Sequence, residues 1–126
     1  GFTLNIGCPE DYQPDADLVK SGGDLVRIFN NVSDASQTAD LIVTDVWASM
    51  GQEQEQKNRE LAFAPFQVSK QTMQCANKDA LFMHCLPAHR GEEVSADVID
   101  GRQSVVWQEA ENRLHAQKSL IEMLLQ

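Results

Sequence analysis

Short apolar runs rich in β-branched residues alternate with helix-start signals along the whole chain. The runs occupy residues 3–7, 25–29, 41–45, 80–85 and 104–107, and each predicts a β-strand. Helices are predicted to begin at Asp15, Ser33, Ser69 and Ser95, because apolar residues at helical spacing follow each of them. This alternation predicts right-handed βαβ units, and so an α/β fold whose mostly parallel sheet has helices on both faces.

Length, composition and net charge narrow the class of protein. A chain of 126 residues, 42% hydrophobic and 23% charged, has the size and composition of one packed domain. Its net charge of -9 excludes a basic patch that could track a nucleic-acid backbone. No apolar stretch approaches the roughly 20 residues that cross a bilayer, so no membrane partner is expected. Three widely spaced cysteines lack the pattern of a disulfide framework and favour a reducing compartment.

Two further segments have their own character. The polar run 52–60 is interpreted as a solvated helix or a mobile loop. Residues 109–126 predict a long C-terminal helix with apolar residues along one side. That side comprises Ala110, Leu114, Ile121, Leu124 and Leu125.

The loop after the third predicted strand carries groups that complement an α-amino acid. In parallel sheets, binding and catalytic residues lie at the carboxyl ends of the strands, and Asp45 is the last residue of such a strand. Its carboxylate can take an α-ammonium, while backbone N–H groups near Gly51 can take an α-carboxylate. The alternative is that Asp45 terminates a strand and Ser49 caps a helix. Trp47 is interpreted as a packing residue.

The loop after the fourth predicted strand begins with Cys85. Its thiol is expected to emerge at the carboxyl edge of the sheet, a suitable place for a catalytic group. Pro87 restricts Leu86 to extended conformations and permits a cis bond before the proline. The alternative is that Cys85 is a small buried hydrophobe.

Two other readings involve histidine and arginine. His84, Cys85 and His89 offer donors that zinc prefers, but a fourth ligand is missing and adjacent strand residues point to opposite faces. His84 is therefore expected to pack or hydrogen-bond inside the fold. Two interpretations of Arg113 are open. It forms a surface ion pair with Glu109, or its planar guanidinium group binds a carbonyl or phosphate oxygen.

Three ordered motifs together resemble the transcarbamylase family, and specifically its ornithine branch. Residues 44–53 (TDVWASMGQE) resemble the ornithine loop, residues 82–91 (FMHCLPAHRG) the catalytic-cysteine loop, and residues 109–118 (EAENRLHAQK) the C-terminal helix. The similarity extends to residues 7–15 (GCPEDYQPD) and covers essentially the whole chain.

The resemblance implies transfer of a carbamoyl group from carbamoyl phosphate to the δ-amine of L-ornithine, giving L-citrulline and phosphate without a metal or organic cofactor. Asp45 and Ser49 would bind the α-ammonium of ornithine, and the Met50 backbone its α-carboxylate. Cys85 would accept a proton and, with Leu86, contact carbamoyl phosphate. Arg113 would polarise the carbamoyl oxygen. This reading requires the Cys85 thiol and the Asp45 carboxylate to converge.

The chain lacks several parts of the family pattern. It contains no Ser-Thr-Arg-Thr phosphate loop, no His-Pro motif and no Asp-Gly-Asn-Asn strand, which in the family is central in the sheet. We therefore expect residues 1–126 to be an ornithine-binding domain with a Rossmann-like fold that lacks its first strand and the carbamoyl-phosphate domain, and to be inactive alone. The resemblance also implies a homotrimeric parent enzyme in the cytoplasm, or in the mitochondrial matrix of an animal.

Two alternatives remain. The acceptor could be another amine, such as putrescine or acetylated ornithine, whereas an aspartate-using relative has a proline where Cys85 stands. The chain could also be a non-catalytic α/β binding domain in which Asp45 and Cys85 serve turns and packing.

Overall fold

A computed structural model describes residues 1–48 and 53–126, and within them four parallel strands alternate with six α-helices. Three short 3-10 turns complete the secondary structure, at Glu10–Tyr12, Gly23–Leu25 and Ala64–Phe66. The strands are β1 (Leu4–Gly7), β2 (Val26–Phe29), β3 (Leu41–Thr44) and β4 (Leu81–His84). The helices are α1 (Ala16–Ser21), α2 (Val32–Ser36), α3 (Glu53–Phe63), α4 (Lys70–Cys75), α5 (Ala96–Ile99) and α6 (Val106–Leu124).

The strands form two parallel pairs, which confirms the predicted α/β class. β1 pairs with β2, and β3 pairs with β4. In the described ranges no ladder of hydrogen bonds joins one pair to the other. Helix α2 packs on β1 and β2 and touches α4, while α6 packs on β4.

Most of the buried core lies around the second pair. Phe82 on β4 is fully buried, and Ile42 on β3 packs in the same cluster. The other buried members come from the segments that follow β3, namely Val68, Met73, Ala80, Val94, Val98, Ile99 and Val106. The core therefore supports the end of β4, where the cysteine loop begins.

Local capping explains most helix starts. Asp15 accepts the backbone N–H groups of Asp17 and Leu18, and Ser69 forms a capping box with Thr72. Helix α5 begins after Ser95, as predicted. The prediction of a start at Ser33 was wrong: α2 begins at Val32, because the Asn31 side chain accepts the Asp34 N–H at 2.8 Å.

The predicted strand 104–107 is absent. Around Ser104 there is a single bridge to β4, in which Phe82 donates to Gln103 O and Val105 donates to Phe82 O. Val106 then begins α6, three residues before the predicted start at residue 109. The apolar pair Val105-Val106 favours a strand over residues 104–107, but Val106 is buried as the first residue of a helix.

Helix α3 includes most of the polar run 52–60, so the helix interpretation of that run is confirmed for residues 53–60. The apolar side predicted for the C-terminal helix is largely exposed: Leu114, Ile121 and Leu124 each keep more than half of their accessible surface. None of the helices in the described ranges is both long and apolar enough to cross a membrane.

Candidate functional site

The register of β3 and β4 brings the two predicted site residues side by side. Thr44 pairs with His84 at the ends of these parallel strands, so Asp45 and Cys85 leave the sheet as neighbours. Ligand atoms of Asp45, His84 and Cys85 all lie within 4.8 Å of one another. The convergence of a thiol and a carboxylate, which the sequence predicts, is confirmed.

Cys85 is exposed, so the alternative of a buried hydrophobe is wrong. Desolvation raises the pKa of the thiol above its ordinary value of 9.0, and a hydrogen bond to Asp45 raises it further. The negative charges of Asp45 and Glu109 act in the same direction, while a backbone hydrogen bond opposes them. The thiol is therefore protonated at neutral pH.

Asp45 presents an exposed carboxylate beside this thiol. One of its oxygens, Oδ1, accepts the N–H of Val46 at 2.7 Å. A carboxylate has about four acceptor positions, so this bond leaves it able to bind a cationic group. Two acidic side chains near Cys85 give the site a preference for a positively charged ligand.

His84 is fully buried, as expected of a residue that hydrogen-bonds inside the fold. Its Nδ1 accepts the N–H of Leu86 at 2.9 Å, and its Nε2 lies 3.1 Å from Oε1 of Glu93. Glu93 is also fully buried, and its Oε1 accepts the N–H of His89 at 2.6 Å. Sequence reasoning missed Glu93, because the Glu92-Glu93 pair has the pattern of a solvated turn.

The same contacts bear on the zinc reading. Both ring nitrogens of His84 are engaged, so a metal ion would have to displace the Leu86 or the Glu93 contact. The exposed ring of His89 faces Glu92 at 3.9 Å. Asp45 and Cys85 are the donors that a cation could reach without breaking the buried contacts.

Glu109 ties α6 to the end of β4. Its Oε2 accepts the backbone N–H of His84 at 3.0 Å. Arg113 follows one turn later on the same side of the helix and is exposed. Among the ion pairs of the described part of the chain, none joins Arg113 to Glu109, so the predicted surface pair does not form.

Leu86 departs from its predicted extended conformation. Its φ is +55°, in the left-handed region, and its peptide bond to Pro87 is cis. The hydrogen bond from its N–H to His84 accompanies this turn, and its side chain packs against the core. A contact two residues away thus overrides the local preference that a following proline imposes.

The start of the loop after β3 rests on aromatic side chains. Trp47 stacks on Phe63 with ring centroids 6.3 Å apart, as expected of a packing residue. Phe63 also contacts Tyr12 at 4.9 Å, and Arg59 lies over the Tyr12 ring. The predicted ligand groups of Ser49 and Met50 lie outside the described residues.

Comparisons with known proteins identify the family of this chain. The family described as "Aspartate/ornithine carbamoyltransferase, Asp/Orn binding domain" matches residues 1–124. The chain is 62% identical over 125 residues to an ornithine carbamoyltransferase of Hydrogenovibrio crunogenus and 60% identical over 125 residues to one of Halorhodospira halophila. These matches cover 99% of the chain but only 41% and 42% of the relatives, so the chain spans less than half of their length.

Solved structures give the same answer about the fold. A crystal structure of ornithine carbamoyltransferase from Burkholderia thailandensis superposes with a TM-score of 0.85 at 50% identity, covering 98% of this chain and 39% of that one. The Rossmann-like α/β architecture is therefore confirmed. With the family match over residues 1–124 and the convergence of Asp45 and Cys85, the chain belongs to the aspartate/ornithine carbamoyltransferase family and corresponds to its Asp/Orn-binding domain.

Proposed function

We propose that the protein containing this chain transfers the carbamoyl group of carbamoyl phosphate to the δ-amine of L-ornithine, giving L-citrulline and phosphate. This chain supplies the half that binds ornithine. The observation that carries the proposal is the exposed pair of Asp45 and Cys85, whose side chains meet at the tips of adjacent parallel strands.

The amino-acid end of ornithine is proposed to bind at Asp45. The carboxylate takes the α-ammonium together with Ser49, and the Met50 backbone takes the α-carboxylate. Exposure of Asp45 beside a second acidic residue, Glu109, supports a cationic ligand here. Holding both α-groups fixes the direction of the side chain and so the place of the δ-amine.

Cys85 is proposed to accept the proton of the δ-ammonium. An alkyl ammonium with a pKa of about 10 is mostly protonated at neutral pH and cannot attack a carbonyl carbon. The raised pKa of Cys85 has two opposite effects: fewer thiols ionise, but each thiolate is a stronger base toward that ammonium. A bound ammonium beside the sulfur favours ionisation, because its charge offsets those of Asp45 and Glu109.

Carbamoyl phosphate is proposed to meet Cys85, Leu86 and Arg113. Arg113 donates to the carbamoyl oxygen, where negative charge develops in the tetrahedral intermediate. Its place on α6, one turn beyond the residue that holds the end of β4, supports this role. With a net charge of -9, the chain needs cations from a second domain to hold the phosphate, so residues 1–126 alone are expected to be inactive.

A further strand is proposed to lie between β1 and β3. Within residues 1–48 and 53–126, each of these strands pairs on one side only, and their other edges carry backbone groups that a strand would satisfy. The free thiols of Cys8, Cys75 and Cys85 support a reducing, cytoplasmic setting. A homotrimer is proposed from the family resemblance.

The test compares three acceptors in the full-length protein. Citrulline formation from ornithine is expected, with much less turnover of putrescine or acetylated ornithine. Asp45→Asn should lower kcat/KM for ornithine about 10-fold or more, because a charge-assisted contact is lost. The reaction with putrescine should be affected less than the reaction with ornithine, since putrescine has no α-ammonium for Asp45 to bind.

Asp24→Asn is the matched control, because Asp24 is exposed in the turn before β2, at the other end of the strands. If the protein turned over putrescine or acetylated ornithine faster than ornithine, that amine would be the acceptor instead. If no carbamoyl group were transferred to any of the three amines, the result would favour the alternative of a non-catalytic binding domain.

A further inference from the structure

Two buried side chains, His84 and Glu93, lie directly beneath the loop that carries Cys85. We propose that they are positioning residues for the carbamoyl transfer, and that the unprotonated Nδ1 of His84 sets the place of the Cys85 thiol by holding the Leu86 N–H. The proposal rests on the proposed function. His84 and Glu93 act through Cys85 and do not touch a substrate.

The first step concerns the tautomer of His84. Its Nδ1 accepts the Leu86 N–H at 2.9 Å, so this nitrogen carries no proton. The proton of the neutral ring is then on Nε2, which donates to Oε1 of Glu93 at 3.1 Å. Glu93 therefore selects the tautomer whose other nitrogen faces the loop.

The second step concerns Leu86. Its φ of +55° is uncommon for a residue with a Cβ atom, and such a conformation persists only where surrounding contacts hold it. Those contacts are the His84 ring on the backbone and the core on the side chain. Since His84 and Leu86 flank Cys85, fixing both neighbours fixes the direction of the thiol.

The third step concerns the anchor. Oε1 of Glu93 also accepts the His89 N–H at 2.6 Å, so one carboxylate restrains the start and the end of the loop from Cys85 to His89. The Glu93 backbone is fixed in turn, because its carbonyl accepts the Val68 N–H at 2.9 Å. Full burial strengthens each of these bonds by excluding water.

A matched pair of substitutions separates the two hydrogen bonds of His84. His84→Asn places an amide oxygen near the position of Nδ1 and can still accept the Leu86 N–H. His84→Gln places an amide nitrogen near the position of Nε2 and can still donate to Glu93, but it leaves the Leu86 N–H without an acceptor. Both variants add a buried amide group, so a merely structural role predicts similar losses.

In the full-length enzyme, His84→Gln is expected to lower kcat about 100-fold, since small displacements of a reacting group have effects of this size. KM for ornithine should change little, because Asp45 is untouched. His84→Asn should retain kcat within about 10-fold of the unchanged enzyme, as partial rescue of the contact predicts. His89→Ala is the control, because its backbone N–H remains.

A second readout follows the thiol itself. The pH midpoint of Cys85 alkylation should fall toward its ordinary value in His84→Gln, because a displaced thiol loses the Asp45 contact. It should stay raised in His84→Asn. If neither variant folds, two substitutions of Glu93 replace them. Glu93→Gln retains an oxygen acceptor and is expected to keep both kcat and the raised alkylation midpoint of Cys85. Glu93→Met has no such acceptor, so kcat should fall and the midpoint should move toward its ordinary value.

Three results would overturn the proposal: equal losses in the two His84 variants, full activity of His84→Gln, or full activity of Glu93→Met. Failure of the proposed function is recognised separately, because the unchanged enzyme would then make no citrulline. The alkylation midpoints would still decide whether His84 places the thiol.

Discussion

The two strand tips that form the site are built differently. The β4 tip, residues 85–91, sits on a buried hydrogen-bonded pair, His84 and Glu93, and on a packed core. The β3 tip, residues 45–48, places Asp45 in solvent, where its carboxylate accepts the N–H of Val46 and lies beside the Cys85 thiol. The protein fixes the thiol in advance and leaves the carboxylate accessible to a ligand.

This difference matches the demands of the roles proposed for the two groups. A group that exchanges a proton must lie within hydrogen-bond reach of the reacting atom, so its position has to be exact to a fraction of an ångström. A group that binds an ammonium can adjust when the ligand arrives, because an ion pair tolerates a range of geometries. The comparison predicts large effects on kcat at the β4 tip and effects on KM at the β3 tip.

The largest effect is expected from Cys85→Ala in the full-length enzyme. Loss of the proposed proton acceptor should lower kcat about 100- to 10,000-fold while KM for ornithine stays nearly constant. Steady-state citrulline formation measures both. Cys75→Ala is the control, because Cys75 lies at the end of α4, outside the site. An unchanged kcat in Cys85→Ala would remove the thiol from the mechanism and break the comparison.

The next effect concerns the support beneath the β4 tip. Phe82 is fully buried, so Phe82→Ala should lower the free energy of unfolding by about 3–5 kcal/mol. Leu81→Ala, at the adjacent position on the same strand, is the control, since Leu81 is 44% exposed. Its cost should be below about 1.5 kcal/mol, because less apolar area is lost. Urea denaturation distinguishes the two, and equal losses would contradict a core centred under β4.

A smaller effect concerns the coupling of the two tips. Asp45→Asn removes a negative charge that raises the pKa of Cys85, so the pKa should fall and alkylation of Cys85 at pH 8 should become faster. Peptide mapping separates Cys85 from Cys75, whose rate is the internal reference. A slower reaction of Cys85 would show that Asp45 does not act on the thiol.

The same shift predicts how stability depends on pH. Since the folded pKa of Cys85 lies above the unfolded value of 9.0, the unfolded chain ionises first as pH rises. This thiol therefore contributes stability below pH 9.0 that is lost as pH rises through its folded pKa.

The smallest effect is expected at the outer face of the β4 tip. Arg90 donates two hydrogen bonds to the Asp100 carboxylate, at 2.9 and 2.7 Å, and this holds the pKa of Asp100 below its ordinary value. Arg90→Gln should let that pKa rise toward 3.8, as an NMR titration of the carboxyl carbon would measure. The contribution of Asp100 to stability is present above this value and lost as pH falls.

Activity of Arg90→Gln should be unchanged, because both side chains are about half exposed and the buried contacts stay intact. A loss of kcat comparable to that of His84→Gln would show that the outer ion pair holds the loop.

Much of this architecture follows from nearest neighbours in sequence. Four of the five predicted strands exist within a residue of their expected ends, and Asp15, Ser69 and Ser95 precede helices as predicted. Short-range errors arose where two local signals competed. Asn31, and not Ser33, caps α2. The apolar pair Val105-Val106 lies at the start of α6.

The site divides in the same way. The motifs identified Asp45 and Cys85, and parallel pairing required them to be neighbours once β3 and β4 were adjacent. Glu93 could not be found, because a charged side chain in a Gly-Glu-Glu turn is ordinarily solvated. Only its contacts with His84 and His89 show why it is buried.

The sequence by itself determined the α/β class, the parallel strands and the two residues at their tips, since periodicity and capping act over a few residues. Tertiary structure alone decided the left-handed Leu86, the burial of Glu93 and the raised pKa of Cys85. Glu93 is buried because its carboxylate reaches His84, nine residues earlier, and Leu86 is held by His84 and by the packed core. The pKa of Cys85 is raised by desolvation and by Asp45, which lies on another strand. Electrostatic fields and hydrogen bonds follow distance in space, which the order of residues does not specify.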